Sequence, residues 1–331
     1  MSQPIKSFVY LMLVTLTALP VMADPPSFLS FQEDIPLNGG ISRFEHQAID
    51  PSNHLLYISH TGAGQIIILN TEHKQIINTI SGLPGVSGLL VLPDIHRLYA
   101  CEIRLHQVAV IDTNSQKVIA HIPAGHQPDG MAYVPELHQL YVTDETGGEE
   151  TVIDVLKNKK LGSIVLDGVA GDTRYDNVAH WIWTVVSSKN ELVSIDPQTR
   201  KVLKRYAIKA GKNPHGLWIE ADSRLAFIAC DKDNKLVVMD LKTFQETGIS
   251  DLGKDPDVIA FDQQLGYLYA ASESGTLSAF RIRDRKVEKL GDAMIGNEAH
   301  SVEVNPLTHE VYFPLRQVGK IPVLRVMKPS N

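Results

Sequence analysis

The chain has 331 residues, of which 44% are hydrophobic, and its formal net charge is −7 at pH 7. This acidic balance disfavours nucleic acid as a partner, because such binding depends on neutralising phosphates with Lys and Arg. The two cysteines occur without a C-x-x-C-H motif, which excludes covalent c-type haem.

Residues 1–23 predict a cleavable signal peptide. Lys6 precedes an apolar run from Phe8 to Leu19, and Ala23 ends a small-residue cleavage site. The apolar run is too short to cross a bilayer, and no later segment reaches the necessary length. We therefore expect an exported protein, periplasmic or secreted, with no transmembrane anchor in the mature chain. Residues 24–331 are expected to form a single domain.

A repeated dipeptide decides the fold class. An aromatic residue preceded by an apolar one recurs every 42 to 44 residues. We call these aromatic residues the anchors: Tyr57, Tyr99, Tyr141, Trp183, Phe227, Tyr269 and Tyr312. Seven repeats of this length are typical of a seven-bladed β-propeller, an all-β fold with four-stranded antiparallel blades.

The second repeat illustrates the strands expected in each blade. Its β-rich segments are separated by Pro, Asp, Asn and Gly, and no helical period is sustained in the chain. The four predicted strands are Val86–Leu92, Arg97–Glu102, Gln107–Asp112 and Lys117–Ile122.

The last repeat lacks one strand. Lys320–Met327 is the only strand predicted after the anchor Tyr312, where the other repeats have two. Phe28–Leu37 is an additional apolar-rich strand that precedes the first repeat. We expect this N-terminal strand to pair with the last blade and close the ring, because an unpaired sheet edge promotes aggregation.

Three short segments resemble a known repeat family. Asn213-Pro214-His215-Gly216-Leu217, Gln127-Pro128-Asp129-Gly130-Met131 and Leu140-Tyr141-Val142-Thr143 are similar to the YVTN-type β-propeller repeat (YncE-like proteins). The resemblance implies a propeller over residues 28–328. It leaves the activity open, because the family includes exported proteins of undefined function and one reported single-stranded DNA binder.

The top face of the predicted propeller collects polar side chains. The first strand of each blade runs down the central channel from the top face and the second strand returns, so residues before the first and after the second strand border the mouth. The residues expected there as ligand-binding groups are Glu45, His46, His60, Glu102, Asp129, Asp144, His215, Asp231, Asp257, Glu273, His300 and Arg316.

The histidines divide between the two faces. Five of the thirteen lie three residues before an anchor, in the predicted bottom turn: His54, His96, His138, His180 and His309. Six others are expected near the top: His46, His60, His106, His126, His215 and His300.

Two kinds of ligand suit this mouth. Imidazole and carboxylate together bind transition metals, and His215, Asp257 and His300 are the expected metal ligands, with Glu45, His46 and His60 as a second cluster. A cationic or polyhydroxylated small molecule is the other choice. A rim that is polar merely because water contacts it would show the same pattern.

The predicted function is therefore a binding or scaffold propeller for a small molecule, a metal or a periplasmic protein. A metal-assisted lyase or lactonase at the mouth is the alternative, and single-stranded nucleic-acid binding by family analogy is a second. Nucleophilic catalysis has no Gly-x-Ser-x-Gly motif to support it. Cys101 and Cys230 fall in blades 2 and 5, too far apart for a disulfide.

Overall fold

Seven four-stranded antiparallel sheets make up the computed structural model, which describes residues 28–330. The sheets are the blades of a propeller, and the predicted fold class is confirmed. The predicted signal peptide, residues 1–23, lies outside the described residues. No helix within residues 28–330 is long and apolar enough to cross a membrane.

Strand β1 (Leu29–Pro36) precedes the blades. Blades 1 to 3 consist, in order, of β2 (Gln47–Asp50), β3 (Leu55–His60), β4 (Gln65–Asn70), β5 (Gln75–Ser81); β6 (Val86–Leu92), β7 (Arg97–Glu102), β8 (Gln107–Asp112), β9 (Lys117–Pro123); and β10 (Pro128–Val134), β11 (Gln139–Asp144), β12 (Glu149–Asp154), β13 (Lys159–Val165).

Blades 4 to 6 consist of β14 (Ala170–Asp176), β15 (Trp181–Val186), β16 (Glu191–Asp196), β17 (Lys201–Ala207); β18 (Pro214–Glu220), β19 (Leu225–Cys230), β20 (Lys235–Asp240), β21 (Gln245–Asp251); and β22 (Pro256–Asp262), β23 (Tyr267–Ser272), β24 (Thr276–Arg283), β25 (Lys286–Met294). Blade 7 contains β26 (Glu303–Val304), β27 (Val311–Val318) and β28 (Ile321–Pro329). Short 3-10 turns occupy Thr61–Ala63, Pro93–Ile95, Ile103–Leu105, Pro135–Leu137 and Ser187–Lys189.

The N-terminal strand closes the ring, as the sequence predicted. β1 pairs antiparallel with β28 from Leu29 opposite Pro329 to Pro36 opposite Val323, and so supplies the outer strand of blade 7. Arg325 Nε donates to Asp34 Oδ1 at 2.8 Å across this pair. The sheet edge of blade 7 is thereby covered by the other end of the same chain.

The anchors join neighbouring blades. All seven are at most 1% exposed. Tyr99 of blade 2 packs in one cluster with Leu140 and Ile153 of blade 3, and its hydroxyl donates to the Val155 carbonyl at 3.3 Å. Burial of each large aromatic side chain contributes on the order of 2 kcal/mol to the free energy of unfolding. The repeated anchor therefore stabilises the packing of each blade against the next.

The turn assignments also agree with the sequence. The five bottom-turn histidines all adopt positive φ, between 49° and 61°. At the ends of the third strands, Asn70, Asp112, Asp154, Asp196 and Asp240 each accept a backbone N–H two or three residues ahead. These residues therefore shape turns rather than a site. Cys101 and Cys230 are free and buried in separate blades.

Deleting residues 28–37 tests the closure. Compared with a chain that begins at residue 28, we expect a chain that begins at residue 38 to melt roughly 10 °C lower or to aggregate, because β28 loses its only outer neighbour. Differential scanning calorimetry and light scattering measure the difference. Equal melting temperatures for the two chains would show that the pairing contributes nothing to stability.

Candidate functional site

A cavity of about 310 Å³ opens at the top of the central channel. We call it the mouth cavity. A second cavity of about 190 Å³, the inner cavity, lies deeper between the first strands of the blades. His46 and Asp129 line both cavities and therefore form the neck between them.

Acidic side chains predominate around the mouth cavity. Seven carboxylates line it against three side chains that carry or can carry positive charge. The acidic residues are Glu45, Asp129, Glu145, Asp231, Asp255, Asp257 and Glu273, and the others are Arg43, His46 and His215. A partly enclosed cavity with this excess attracts a positively charged ligand, because the low-dielectric walls weaken screening by water.

His46 of blade 1 and Asp129 of blade 3 form an ion pair at the neck. Their Nε2 and Oδ2 atoms are 3.5 Å apart. Burial opposes both charges, but the charge of Asp129 outweighs it and raises the pKa of His46 to about 10. In return, His46 overcomes burial and lowers the pKa of Asp129. His46 is therefore an imidazolium at neutral pH.

His215 and Asp257 form an equivalent pair on blades 5 and 6. His215 Nε2 lies 3.2 Å from Asp257 Oδ1. Burial again disfavours the charges, yet the hydrogen bond and charge of Asp257 raise the pKa of His215 to about 10. The same contact holds the pKa of Asp257 far below its usual range. Two of the mouth histidines are thus held protonated, which makes them poor general bases at neutral pH.

His300 has different surroundings. It is only 2% exposed, and it lies between acidic groups of blades 1 and 6. Its Nε2 is 3.5 Å from Glu45 Oε2, and its Nδ1 is 3.4 Å from Glu273 Oε2. Arg43 bridges the same two carboxylates, with Nη2 2.6 Å from Glu273 Oε1. Burial lowers the pKa of His300, but Glu45 and Asp257 raise it above its ordinary value.

The predicted metal ligands come together only in part. Side-chain ligand atoms of Glu45, Asp257 and His300 all lie within 4.8 Å of one another. His215 is not part of this group, and its Nε2 lies 3.2 Å from Asp257 Oδ1. His60 is also outside it, since its ring stacks on Phe44 with centroids 4.1 Å apart.

The residues expected at the ends of the second strands fall into two groups, three or four residues after their anchors. Every residue three after an anchor is at most 1% exposed and points into the packing between or within blades: His60, Glu102, Asp144, Val186, Cys230, Ser272 and Leu315. Residues four after an anchor turn to the opposite side, because neighbouring side chains of a strand alternate. Five of these line the mouth cavity: Ile103, Glu145, Ser187, Asp231 and Glu273.

Four expected mouth residues therefore lie elsewhere. Glu102 accepts hydrogen bonds from Gln107 Nε2 at 2.7 Å and pairs with His121 at 2.9 Å. Asp144 accepts the backbone N–H groups of His126 and Gln127. His60 Nε2 is 2.8 Å from Ser42 Oγ. Arg316 does have the outward offset, but it pairs with Glu298 at 2.9 Å beside blade 7.

Several mouth residues were missed by the sequence analysis. Arg43, Gln127, Val169, Asn213 and Asp255 line the cavity, and each lies fourteen residues before its anchor. Glu145 was passed over for its neighbour Asp144. The sequence signal for these residues is their offset from the anchor. The positions fourteen residues before the anchor and four residues after it line the cavity, rather than only those twelve before and three after.

The inner cavity adds charged groups that no motif marked. Arg174 Nη2 is 3.0 Å from Asp172 Oδ2, and its guanidinium lies over the Trp218 ring, 5.8 Å from the centroid. Burial raises the pKa of Glu303, on the opposite side of this cavity, to about 7.

Comparison with known proteins places the chain in a family. The model of the Choice-of-anchor I domain matches residues 93–283. The chain belongs to the Choice-of-anchor I domain family. Membership supports a binding propeller with a cell-surface or exported role. The finer YVTN-type assignment stays a prediction, and no curated protein matches the chain.

Solved structures show the same fold. Kuenenia stuttgartiensis hydrazine synthase matches with 17% identity and a TM-score of 0.73, covering 89% of this chain and 97% of that one. The RRP9 WD40 repeats match with 11% identity and a TM-score of 0.75, covering 92% and 99%. U3-55K matches with 11% identity and a TM-score of 0.74, covering 90% and 98%. At these identities the likeness concerns the propeller alone.

The His46–Asp129 pair predicts a pH-dependent stability. The pKa of His46 is 6.5 in an unperturbed chain and about 10 in the folded protein, so protonation of His46 stabilises the fold. This stabilisation is fully present below pH 6.5 and is lost as the pH rises towards about 10. We therefore expect His46→Gln to lower the free energy of unfolding by roughly 1 kcal/mol more at pH 6 than at pH 10. Urea unfolding at both pH values measures this difference.

The matched control is His73→Gln, whose imidazole is 68% exposed in a bottom turn. Because this side chain is exposed, the substitution should change the free energy of unfolding by less than about 0.5 kcal/mol. A His46→Gln effect that does not change with pH would contradict the ion pair.

Proposed function

We propose that this chain is an exported binding propeller, periplasmic or at the cell surface, that holds a small positively charged ligand in its mouth cavity. The observation that carries the proposal is the charge of the mouth cavity, which has seven carboxylates against Arg43, His46 and His215. Even with both imidazoles protonated, the acidic groups outnumber the basic ones.

The raised pKa of Glu145 also supports a positively charged ligand. Burial, together with the nearby charge of Asp129, raises the pKa of Glu145 to about 6. The mouth therefore resists a further negative charge, and a bound cation would relieve this repulsion. The same field disfavours nucleic-acid phosphates and acidic partner surfaces. A protein partner of this mouth would have to present a basic side chain.

Binding is proposed rather than catalysis because of the histidines. The two that reach the open cavity, His46 and His215, are already paired with Asp129 and Asp257 at 3.5 and 3.2 Å. Held as imidazolium ions, they supply fixed charge to the lining and do not accept a proton from a substrate. A metal-assisted lyase or lactonase would need a base from another group.

Isothermal titration calorimetry tests the proposal with zinc, manganese and magnesium chlorides and with putrescine, at low and high salt. We expect at least one of these cations to bind, and more weakly at high salt. Neutralising the rim acids in the double variant Glu145→Gln/Asp255→Asn should weaken binding about five- to tenfold per charge, since each acts through space over several ångströms.

The double variant Glu72→Gln/Asp94→Asn is the matched control, with the same loss of charge at exposed turns away from the mouth. It should bind like the natural protein. If no cation binds, or if both double variants weaken binding equally, the mouth is not a cation site.

A further inference from the structure

His300 has a buried nitrogen without a partner. The residue is 2% exposed, and its Nε2 atom forms no hydrogen bond with any residue of the described chain. The nearest acceptor, Glu45 Oε2, is 3.5 Å away, at the limit of hydrogen-bond distance. A buried polar atom left in this state is costly, so its retention calls for an explanation.

The other ring nitrogen is already engaged. His300 Nδ1 lies 3.0 Å from the backbone carbonyl of Glu298, which can only accept a hydrogen bond. Nδ1 therefore carries a proton, and in the neutral ring the lone pair is on Nε2. This tautomer, fixed by a carbonyl behind the ring, is the one that metal-binding histidines adopt.

Two carboxylates lie close to the His300 ring. Ligand atoms of Glu45, Asp257 and His300 lie within 4.8 Å of one another, although they come from blades 1, 6 and 7. Ligands about 2.1 Å from a tetrahedral ion are about 3.4 Å apart, so no pair of these atoms would have to approach by more than about 1.4 Å. Both carboxylates are partly exposed at the rim and can make this adjustment.

Each of these residues is oriented by a second group. Arg43 Nε donates to Oε1 of Glu45, so Oε2 is the oxygen turned towards His300. His215 Nε2 approaches Oδ1 of Asp257 at 3.2 Å. The Glu298 carbonyl fixes His300. Outer contacts that hold each ligand in place are typical of metal sites.

We propose that Glu45, Asp257 and His300 bind a divalent first-row transition-metal ion, with its remaining coordination positions open to the mouth cavity. One imidazole and two carboxylates favour such an ion over calcium or magnesium, which prefer oxygen ligands alone. The inference rests on the proposed function, because the ion is one particular cation that the acidic mouth would hold. It replaces His215 of the sequence-based ligand set with Glu45.

The test is calorimetric titration of the chelator-treated mature protein with zinc chloride, accompanied by the visible absorption spectrum after cobalt addition. We expect one ion per chain and binding of magnesium at least tenfold weaker than that of zinc. Glu45→Gln, Asp257→Asn and His300→Gln should each weaken zinc binding about a hundredfold and change the cobalt spectrum.

The matched control is Asp231→Asn, which removes a mouth carboxylate outside the ligand set. Through the loss of one charge it should weaken zinc binding less than tenfold and leave the cobalt spectrum unchanged. Circular dichroism checks the folding of each variant. If buried His300→Gln does not fold, Glu45→Gln at the partly exposed rim decides the outcome.

The two proposals fail in different ways. If putrescine binds and responds to Glu145→Gln/Asp255→Asn, while zinc does not bind or binds equally to all variants, the metal site is refuted and the cation-binding mouth remains. If neither zinc, manganese, magnesium nor putrescine binds, both proposals are refuted. Zinc binding that falls about a hundredfold in Glu45→Gln and His300→Gln but less than tenfold in Asp231→Asn supports both.

Discussion

The close approach of the innermost strands around the channel sets the geometry of everything at the mouth. A Cβ atom added to Gly88 would lie 1.9 Å from the carbonyl oxygen of Asp129 on the next blade, and one added to Gly216 would lie 2.2 Å from that of Asp257. Only glycine fits such a contact between backbones. The same crowding brings the side chain of His215 within 3.2 Å of Asp257 on the next blade, so this ion pair forms between blades.

Crowding also explains the chemistry that the mouth can perform. Carboxylates brought together in a partly buried space need nearby positive charge, and the imidazoles of His46 and His215 provide it. Once protonated, these rings are structural counter-ions. His300 differs because its Nδ1 contacts the Glu298 carbonyl, whereas its Nε2 makes no hydrogen bond within the described chain. Histidines at neighbouring blade positions therefore have separate roles, which residue type alone does not reveal.

The repeat made the fold predictable. The strands expected for blade 2 differ from the observed ones only at the end of β9, and the closing strand was recognised from a missing partner. The site was less accessible to this reasoning. Asp144 and Glu145 are adjacent, yet Asp144 accepts a hydrogen bond from the backbone of a loop and Glu145 lines the cavity. Their side chains point in opposite directions because side chains alternate along a strand. Likewise a period of 42 residues cannot tell whether Glu45 of blade 1 or His215 of blade 5 approaches His300 of blade 7, since both lie at the same offset before their anchors.

Closure of the ring by β1 and β28 has a consequence for the order of folding. Leu29 pairs with Pro329, so β1 is synthesised before all the other strands of the propeller and has to wait for β28. Six blades have all four strands from consecutive sequence and can form as the chain emerges, whereas blade 7 cannot. Contacts between such distant residues form slowly, because the loop they close is long. Until β28 has been synthesised, the partial ring therefore presents two unpaired ends, and a chain that terminates before β28 never acquires a complete last blade.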